Sequence, residues 1–545
     1  MKRDLAQMAQ QPFDLVIIGA GATGAFTAWD AALRGLRVAL IEKGDFAHAT
    51  SASSTKLVHG GLRYLKGLDF ALVRESLAER RILSQIAPHL VHPLPFMLPV
   101  YNAGWMNRLT LEAGLTLYDL LSFDRGFLDD PDKRMPRHQM ISRHKAIGLE
   151  PNLGDVGLEG AFIYWDGQMD SPERLAMEAI IGAVEYGASV ANRSEVTGFT
   201  LESNRVTAVR VSDLESGQSY DIRGRLFVNA TGASADQMMT LATGDSARTI
   251  IRSKGIHVIT QSLTQSHALA LQVGDRHLFV VPWRGHSLIG TTDTAYDGPL
   301  DRIVPTREDV LDLLSVVNQT MPKTPMTLSD VKHAYAGLRP LVEDAGDESS
   351  STYSKSRKSE VLDHEAEGSV AGLISALGGK WTTSRHVAEQ VVDLAERKLS
   401  VWAARGQTKW TPLPGGQTGR FSSFLDRACK RYDMIDPKII AALARDHGAL
   451  IHDVIASANG NADLLRPLSD GNEYAMVSVI HAIRHEMALH LDDILMRRTG
   501  IGTLGRPDDA VIDAIADMMT GELGWDQARR QKEIDIALDR FPVFN

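Results

Sequence analysis

An α/β architecture is predicted for this chain, with a parallel-sheet core interleaved with an antiparallel sheet and followed by an all-helical domain. Three observations predict it. An apolar run from Phe13 leads straight into Gly19, Gly21 and Gly24, and a small-residue stretch (Ala25 to Leu33) and a second apolar run, Arg37 to Ile41, follow, ending at Glu42. Residues 250–375 are rich in strand-like segments. Beyond Leu413-Pro-Gly-Gly-Gln-Thr-Gly419 the chain becomes strand-poor, with apolar i, i+3, i+4 spacing through Ile480, Ile483 and Met487.

The first segment reads strand, glycine turn, helix, strand, acid, which is the order of a Rossmann-like dinucleotide site. Gly19 permits the turn, Gly21 lets backbone approach a pyrophosphate, and Gly24 lets helix and strand pack closely. The helix N-terminus offers N–H groups to phosphates, and Glu42 can accept hydrogen bonds from a ribose. A fingerprint this close to residue 1 is typical of a permanently held FAD. A second loop follows, with Ser51, Ser53, Ser54, Thr55, Lys56, Gly60 and Gly61. Its small hydroxyls and glycines suit a wrap around the pyrophosphate and an approach to a flat ring.

Further along, residues 92–150 read as an irregular insertion punctuated by Pro93, Pro95, Pro99, Pro131 and Pro136. Ser171 is a plausible N-cap, with Pro172 at the first helical position. Val206–Val211 and Ser219–Ile222 alternate like antiparallel strands. Leu226-Phe-Val228 reads as a buried strand returning to the first sheet, with Ala230, Thr231 and Gly232 at its cofactor end. A helix near Arg307–Val317 interrupts the later strands, and Gly378-Gly379-Lys380 returns the chain to the ring. The domains are therefore placed at 13–90, 151–250 and 375–400 for the cofactor, 91–150 for the insertion, 251–374 for the substrate sheet and 420–545 for the helical tail.

Six later segments join Gly19–Gly24 and Ser53–Leu65: Leu226–Gly232, Lys254–His257, Val281–Trp283, Gly290–Asp293, Ala336–Leu341 and Gly378–Thr383. Together they make the chain similar to the FAD-dependent, respiratory glycerol-3-phosphate dehydrogenases. The resemblance spans residues 13 to about 395 and extends to that family's helical domain. It implies an FAD domain of the D-amino-acid-oxidase/glutathione-reductase type. It also implies oxidation of sn-glycerol 3-phosphate to dihydroxyacetone phosphate, with a membrane quinone as acceptor. An oxidase using O2, a dehydrogenase of a longer polyol phosphate such as erythritol phosphate, and a flavin-bearing protein without turnover are the alternatives.

A phosphate dianion calls for guanidinium forks. Arg63, Arg339 and Arg357 lie in segments matching the family's substrate-binding arginines, with Tyr64 and Thr292 beside them in sequence or motif. His59 and His257 are candidates for the base that takes the hydroxyl proton. Lys380 is placed to put positive charge beside the flavin, and Gly379 and Thr382 to line it.

The formal net charge of −10 argues against nucleic acid as a partner. Cys429 is the single cysteine, which excludes an intrachain disulfide and points to a reducing compartment. Residues 1–11 lack a signal core, and no apolar run reaches about 18 residues. The expectation is a cytoplasmic protein, peripheral on the inner face of a bacterial inner membrane, with a homodimer left open. The candidate lipid contact is Pro95–Pro99 with Trp105–Leu121, in which Leu109, Ala113, Leu117 and Leu120 share a face and Trp105 and Tyr118 suit the headgroup boundary. His481, His485, Glu486 and His490 faintly suggest a zinc helix, but the glutamate follows the second histidine, so ion pairing is expected and no metal.

Overall fold

The computed structural model describes residues 1–545 apart from 103, 245–249, 275, 342–358, 402–405, 470–472, 543 and 545. Arg357, one of the expected phosphate ligands, lies outside the described residues.

Phe13–Ile18 is apolar at every position but Asp14 because it has a parallel partner on each side and helices over the sheet. Leu15 pairs with Val38 of Val38–Ile41 and with Leu226 of Ser219–Asn229. The sheet runs Ser359–Asp363, Leu373–Gly378, Ser219–Asn229, Phe13–Ile18, Val38–Ile41, Ser189–Ala191, and Arg205–Asp213 and Ser194–Glu202 extend it as a hairpin. Helix Ala22–Leu33 lies on it, its alanines letting helices Pro172–Glu185 and Ser384–Leu399 pack close. Ser171 is the N-cap and Pro172 the first residue of the second of these, as the sequence predicts.

The second sheet has ten strands, with Ile251–Gln261 between Val331–Leu341 and His286–Gly290. Helix Arg307–Thr320, opened by a capping box of Thr306 and Asp309, covers the Val258, Val280 and Ile289 side.

Two segments differ from the sequence expectation. Val91–Tyr101 is a full strand of the second sheet, paired along its length with Leu158–Met169, where an irregular insertion and part of the cofactor domain were expected. Pro93, Pro95 and Pro99 occupy alternate positions and so share one edge, and the neighbour on the other side pairs only at Phe96 and Met97. Conversely, Ser359–Asp363 and Leu373–Gly378 belong to the cofactor sheet, not to the substrate sheet.

The C-terminal domain packs helices Phe421–Arg431, Pro437–His447, Met476–His485, Asp509–Leu523 and Gln527–Leu538 around two cores of its own. It meets the cofactor domain through buried charge pairs, such as Arg174 with Glu486 at 2.6 Å. Among the described residues no helix is long and apolar enough to cross a membrane, and no group of three or more His, Cys, Asp or Glu could hold a metal ion. His490 instead bridges Glu215 (2.7 Å) and Glu533 (3.0 Å).

Candidate functional site

The glycine turn is compact for a steric reason. A Cβ on Gly24 would stand 1.8 Å from the Gly19 carbonyl oxygen, so only glycine lets the helix start this close to the strand. Glu42, at the end of the second strand, accepts from the N–H groups of Ala20 (2.7 Å) and Gly44 (2.8 Å), which fixes its carboxylate beside that turn. The Ser51 hydroxyl accepts from the Ala22 N–H at 2.9 Å, so the second loop caps the start of the helix.

From here a cavity of about 230 Å³ runs to the second sheet. Gly21, Ala22 and Thr23 line its near end, Ser51, Ser53, Ser54 and Thr55 one wall, and Ala230, Gly232, Gly379, Lys380 and Thr382 another. His59, His257, Thr291 and Arg339 also face it. Trp381, which the sequence reading passed over, holds the two walls together: its indole N–H donates to the Ser51 carbonyl at 3.1 Å.

Arg339 and His257 come from neighbouring strands of the second sheet. The Arg339 guanidinium donates to the Thr291 hydroxyl (2.7 Å), the Thr292 carbonyl (3.0 Å) and the Ser253 hydroxyl (3.2 Å), and Asp293 lies 3.6 Å away. Room for it comes from Gly255, where a Cβ would stand 2.2 Å from the guanidinium. The Thr292 side chain accepts from the Ile256 N–H, so this threonine shapes the strand while its carbonyl holds Arg339. His257 stacks on Tyr335 at 5.1 Å and is hydrogen-bonded through Nε2 to the Thr55 hydroxyl at 2.9 Å. Burial first, then the charges of Arg339 and Lys56, hold its pKa well below the usual histidine value.

Tyr64 sits between two cations, with Arg63 4.8 Å from its ring and the Lys380 ammonium 4.8 Å from it. The loop carrying His59, Gly60 and Gly61 is fixed from behind. The Gly60 N–H donates to Asp166 (3.0 Å), a buried carboxylate that also receives Tyr118 Oη (2.8 Å) and Arg80 (2.6 Å).

Some expected residues do other work. Lys56 turns away from the cavity into the core, where it pairs with buried Glu173 at 3.1 Å and donates to the Ala52 carbonyl at 2.8 Å. Thr231 bonds to Asn229 and supports the strand end. Tyr118, expected at a lipid boundary, is buried under the site loop, because a phenol with a carboxylate partner is better held inside. Ser253, Tyr335 and Asp166 were missed, and none of them stood in a motif singled out from sequence.

Residues 14–385 match the family described as FAD dependent oxidoreductase, and residues 406–530 match the C-terminal domain of alpha-glycerophosphate oxidase. The chain belongs to the FAD-dependent oxidoreductase family. A glycerol-3-phosphate dehydrogenase of Synechocystis sp. is 36% identical over 98% of this chain and 97% of its own. The aerobic glycerol-3-phosphate dehydrogenase of Staphylococcus haemolyticus is 32% identical over 98% and 95%. The X-ray structure of the Bacillus halodurans glycerol-3-phosphate dehydrogenase complexed with FAD superposes with a TM-score of 0.78 at 26% identity, covering 98% of this chain and 96% of that one. FAD is the cofactor of this oxidoreductase, and the cleft fits it. The helix N-terminus and the hydroxyls of the second loop suit a pyrophosphate, Glu42 a ribose, and the stretch between Gly379, Lys380 and His257 a flat ring.

Proposed function

We propose that the chain oxidises sn-glycerol 3-phosphate to dihydroxyacetone phosphate and passes the electrons to a membrane quinone. The observation that carries this reading is Arg339 facing the cofactor cavity beside His257, its guanidinium oriented by hydroxyls, a carbonyl and the Asp293 carboxylate. A guanidinium is always charged and can meet a phosphate bidentately. The names of the relatives give the same substrate.

Bound FAD would supply the two-electron acceptor that takes hydride from the secondary carbon. Arg339, with Arg63 and Tyr64, binds and orients the phosphate. A neutral histidine accepts the hydroxyl proton, and His257, kept neutral by burial and two nearby cations, is the base in this reading. His59 shares the cavity and stands on the loop held by Asp166. The Lys380 ammonium favours negative charge developing at the ring edge.

The electron acceptor is reached from a lipid surface. Helix Trp105–Leu121 leaves Met106, Leu109 and Leu120 exposed by 62%, 57% and 66%, and Phe123 and Phe127 follow, exposed by 65% and 71%. Its two acids are engaged by His138 (Asp119 at 2.8 Å, Glu112 at 3.2 Å). We place this face on the cytoplasmic leaflet of the inner membrane. A second reading, transfer to O2, rests on the match of residues 406–530 to an oxidase domain.

The deciding experiment is a substrate panel on the purified flavoprotein without oxygen. Glycerol 3-phosphate should bleach the flavin and free glycerol should not. Faster bleaching by erythritol phosphate would overturn the substrate assignment. Stoichiometric peroxide in air, with no response to a quinone analogue, would establish the oxidase instead.

A further inference from the structure

Glu42 owes its position to a loop that the C-terminal domain holds from behind. The Ser194 N–H donates to the Glu42 carbonyl and the Arg193 N–H to the Gly44 carbonyl, both at 2.8 Å, and the Ala47 N–H returns to the Ala20 carbonyl of the glycine turn at 2.9 Å. Between these bonds stands Asp45, fully buried. Its carboxylate receives Arg497 Nε at 2.6 Å, Arg498 Nη1 and Nη2 at 2.8 Å each, and Asn192 Nδ2 at 3.1 Å. Both arginines come from Ile494–Arg498, a π-helical turn of the C-terminal domain. Such turns are rare, and those that occur are frequently at functional sites. Arg498 is itself tied to the Glu486 carbonyl at 3.0 Å, and Arg497 to Asp493 at 2.7 Å.

A buried carboxylate is tolerated only while it is paired. Asp45 therefore keeps its place only when the C-terminal domain is docked, and only Lys43 and Gly44 separate it from Glu42. We infer that Arg497 and Arg498 are positioning residues for the cofactor: by fixing Asp45 they hold Glu42 for the ribose, so FAD retention depends on a domain none of whose described residues lines the cleft. The inference rests on FAD occupying that cleft. It gives the C-terminal domain a role that neither matched family description assigns.

The test uses full-length apoprotein reconstituted with FAD and followed by flavin fluorescence. Four variants are compared with wild type: Arg498→Lys, Arg498→Gln, Glu42→Gln and the double Glu42→Gln/Arg498→Gln. Loss of a charge-assisted pair should raise the Kd for FAD about tenfold or more in Arg498→Gln. Lysine keeps the charge without the fork and should raise it by about threefold. In the Glu42→Gln background the second change should add less than about twofold, because both act through one group. A general loss of structure would add its full effect there. FMN, which lacks the ribose and adenine, should bind all the variants alike. An unchanged FAD Kd in Arg498→Gln, or an equal effect with and without Glu42, overturns the inference. If Arg498→Gln does not fold, an unchanged Kd in Arg498→Lys overturns it. Wild-type apoprotein that takes up no FAD would instead overturn the cofactor reading.

Discussion

In the cleft, the Arg339 guanidinium donates to two hydroxyls and a backbone carbonyl and lies 3.6 Å from the Asp293 carboxylate. At the C-terminal face, Arg498 is forked onto Asp45 by two bonds of 2.8 Å and has no exposure to speak of. The two arginines show what separates a binding site from a seam. At Arg339, hydroxyls and a carbonyl help fix a guanidinium that still faces the cavity, so a dianion can approach it. A tight buried carboxylate closes the guanidinium to any ligand, and the pair then acts only through the surfaces it holds together.

If this contrast is right, substitutions in the two regions should fail in opposite assays. Arg339→Leu would remove the two charge-assisted bonds proposed to the phosphate, on the order of 3–6 kcal/mol, and should lower kcat/KM by about a hundredfold to ten-thousandfold. Its unfolding midpoint should move less than that of a seam variant, since the Asp293 carboxylate stands 3.6 Å away and not in a tight pair. A large loss of stability with normal kinetics would assign Arg339 to the seam. Arg339→Lys should recover little, because an ammonium lacks the fork.

Arg174→Met makes the reverse prediction. It leaves the buried Glu486 carboxylate without its 2.6 Å partner and should cost about 3–5 kcal/mol in denaturant unfolding. The rate of flavin bleaching per bound flavin should stay near wild type. A slowed chemical step would show that the seam reaches the reaction itself.

His490 sharpens the contrast through pH. Burial opposes its protonation, but Glu215 and Glu533 on either side outweigh that and push its pKa up to about 9. A histidine raised in the folded state contributes stability that is full below the unfolded value near 6.5 and is lost as pH rises through about 9. His490→Gln should therefore destabilise by on the order of 3 kcal/mol at pH 6 and much less at pH 10. Equal destabilisation at both pH values would remove the charge from the account. His257, with its pKa shifted the other way, should leave the bleaching rate free of a histidine limb near pH 6.5.

The same division governs how much could be read from sequence. The glycine turn, Glu42 and the hydroxyl loop are local patterns, and Arg339 and His257 stood inside motifs, so the cofactor site was legible. Lys56 was not: a loop pattern does not tell which way a side chain turns, and here Glu173, far along the chain, draws it inward. The prolines of Val91–Tyr101 masked a strand because only the tertiary neighbour shows that their edge is lightly paired. Asp45 and Arg498 are 453 residues apart, and no local pattern links them. Tyr118 was misplaced because an amphipathic helix does not reveal which stripe meets the core.

That helix gives the finest test of the contrast, since its two faces divide in the same way. One face is sealed: Leu115 and Tyr118 are buried, and Tyr118 reaches Asp166 and, through it, the Gly60 N–H of the site loop. The other is open, and Leu109 and Leu120 lie on it. Burying a leucine in a lipid surface is favourable by roughly 1.5–3 kcal/mol, and an aspartate there reverses the sign. Leu109→Asp and Leu120→Asp together should abolish flotation with liposomes while leaving anaerobic bleaching by soluble substrate unchanged. Tyr118→Phe should do the reverse, retaining flotation but slowing bleaching, because Asp166, which holds the Gly60 N–H, then loses one of its own donors. Should the double aspartate variant float like wild type, the open face is no lipid contact. Should Tyr118→Phe bleach like wild type, the helix is not coupled to the site, and its two faces are merely inside and outside.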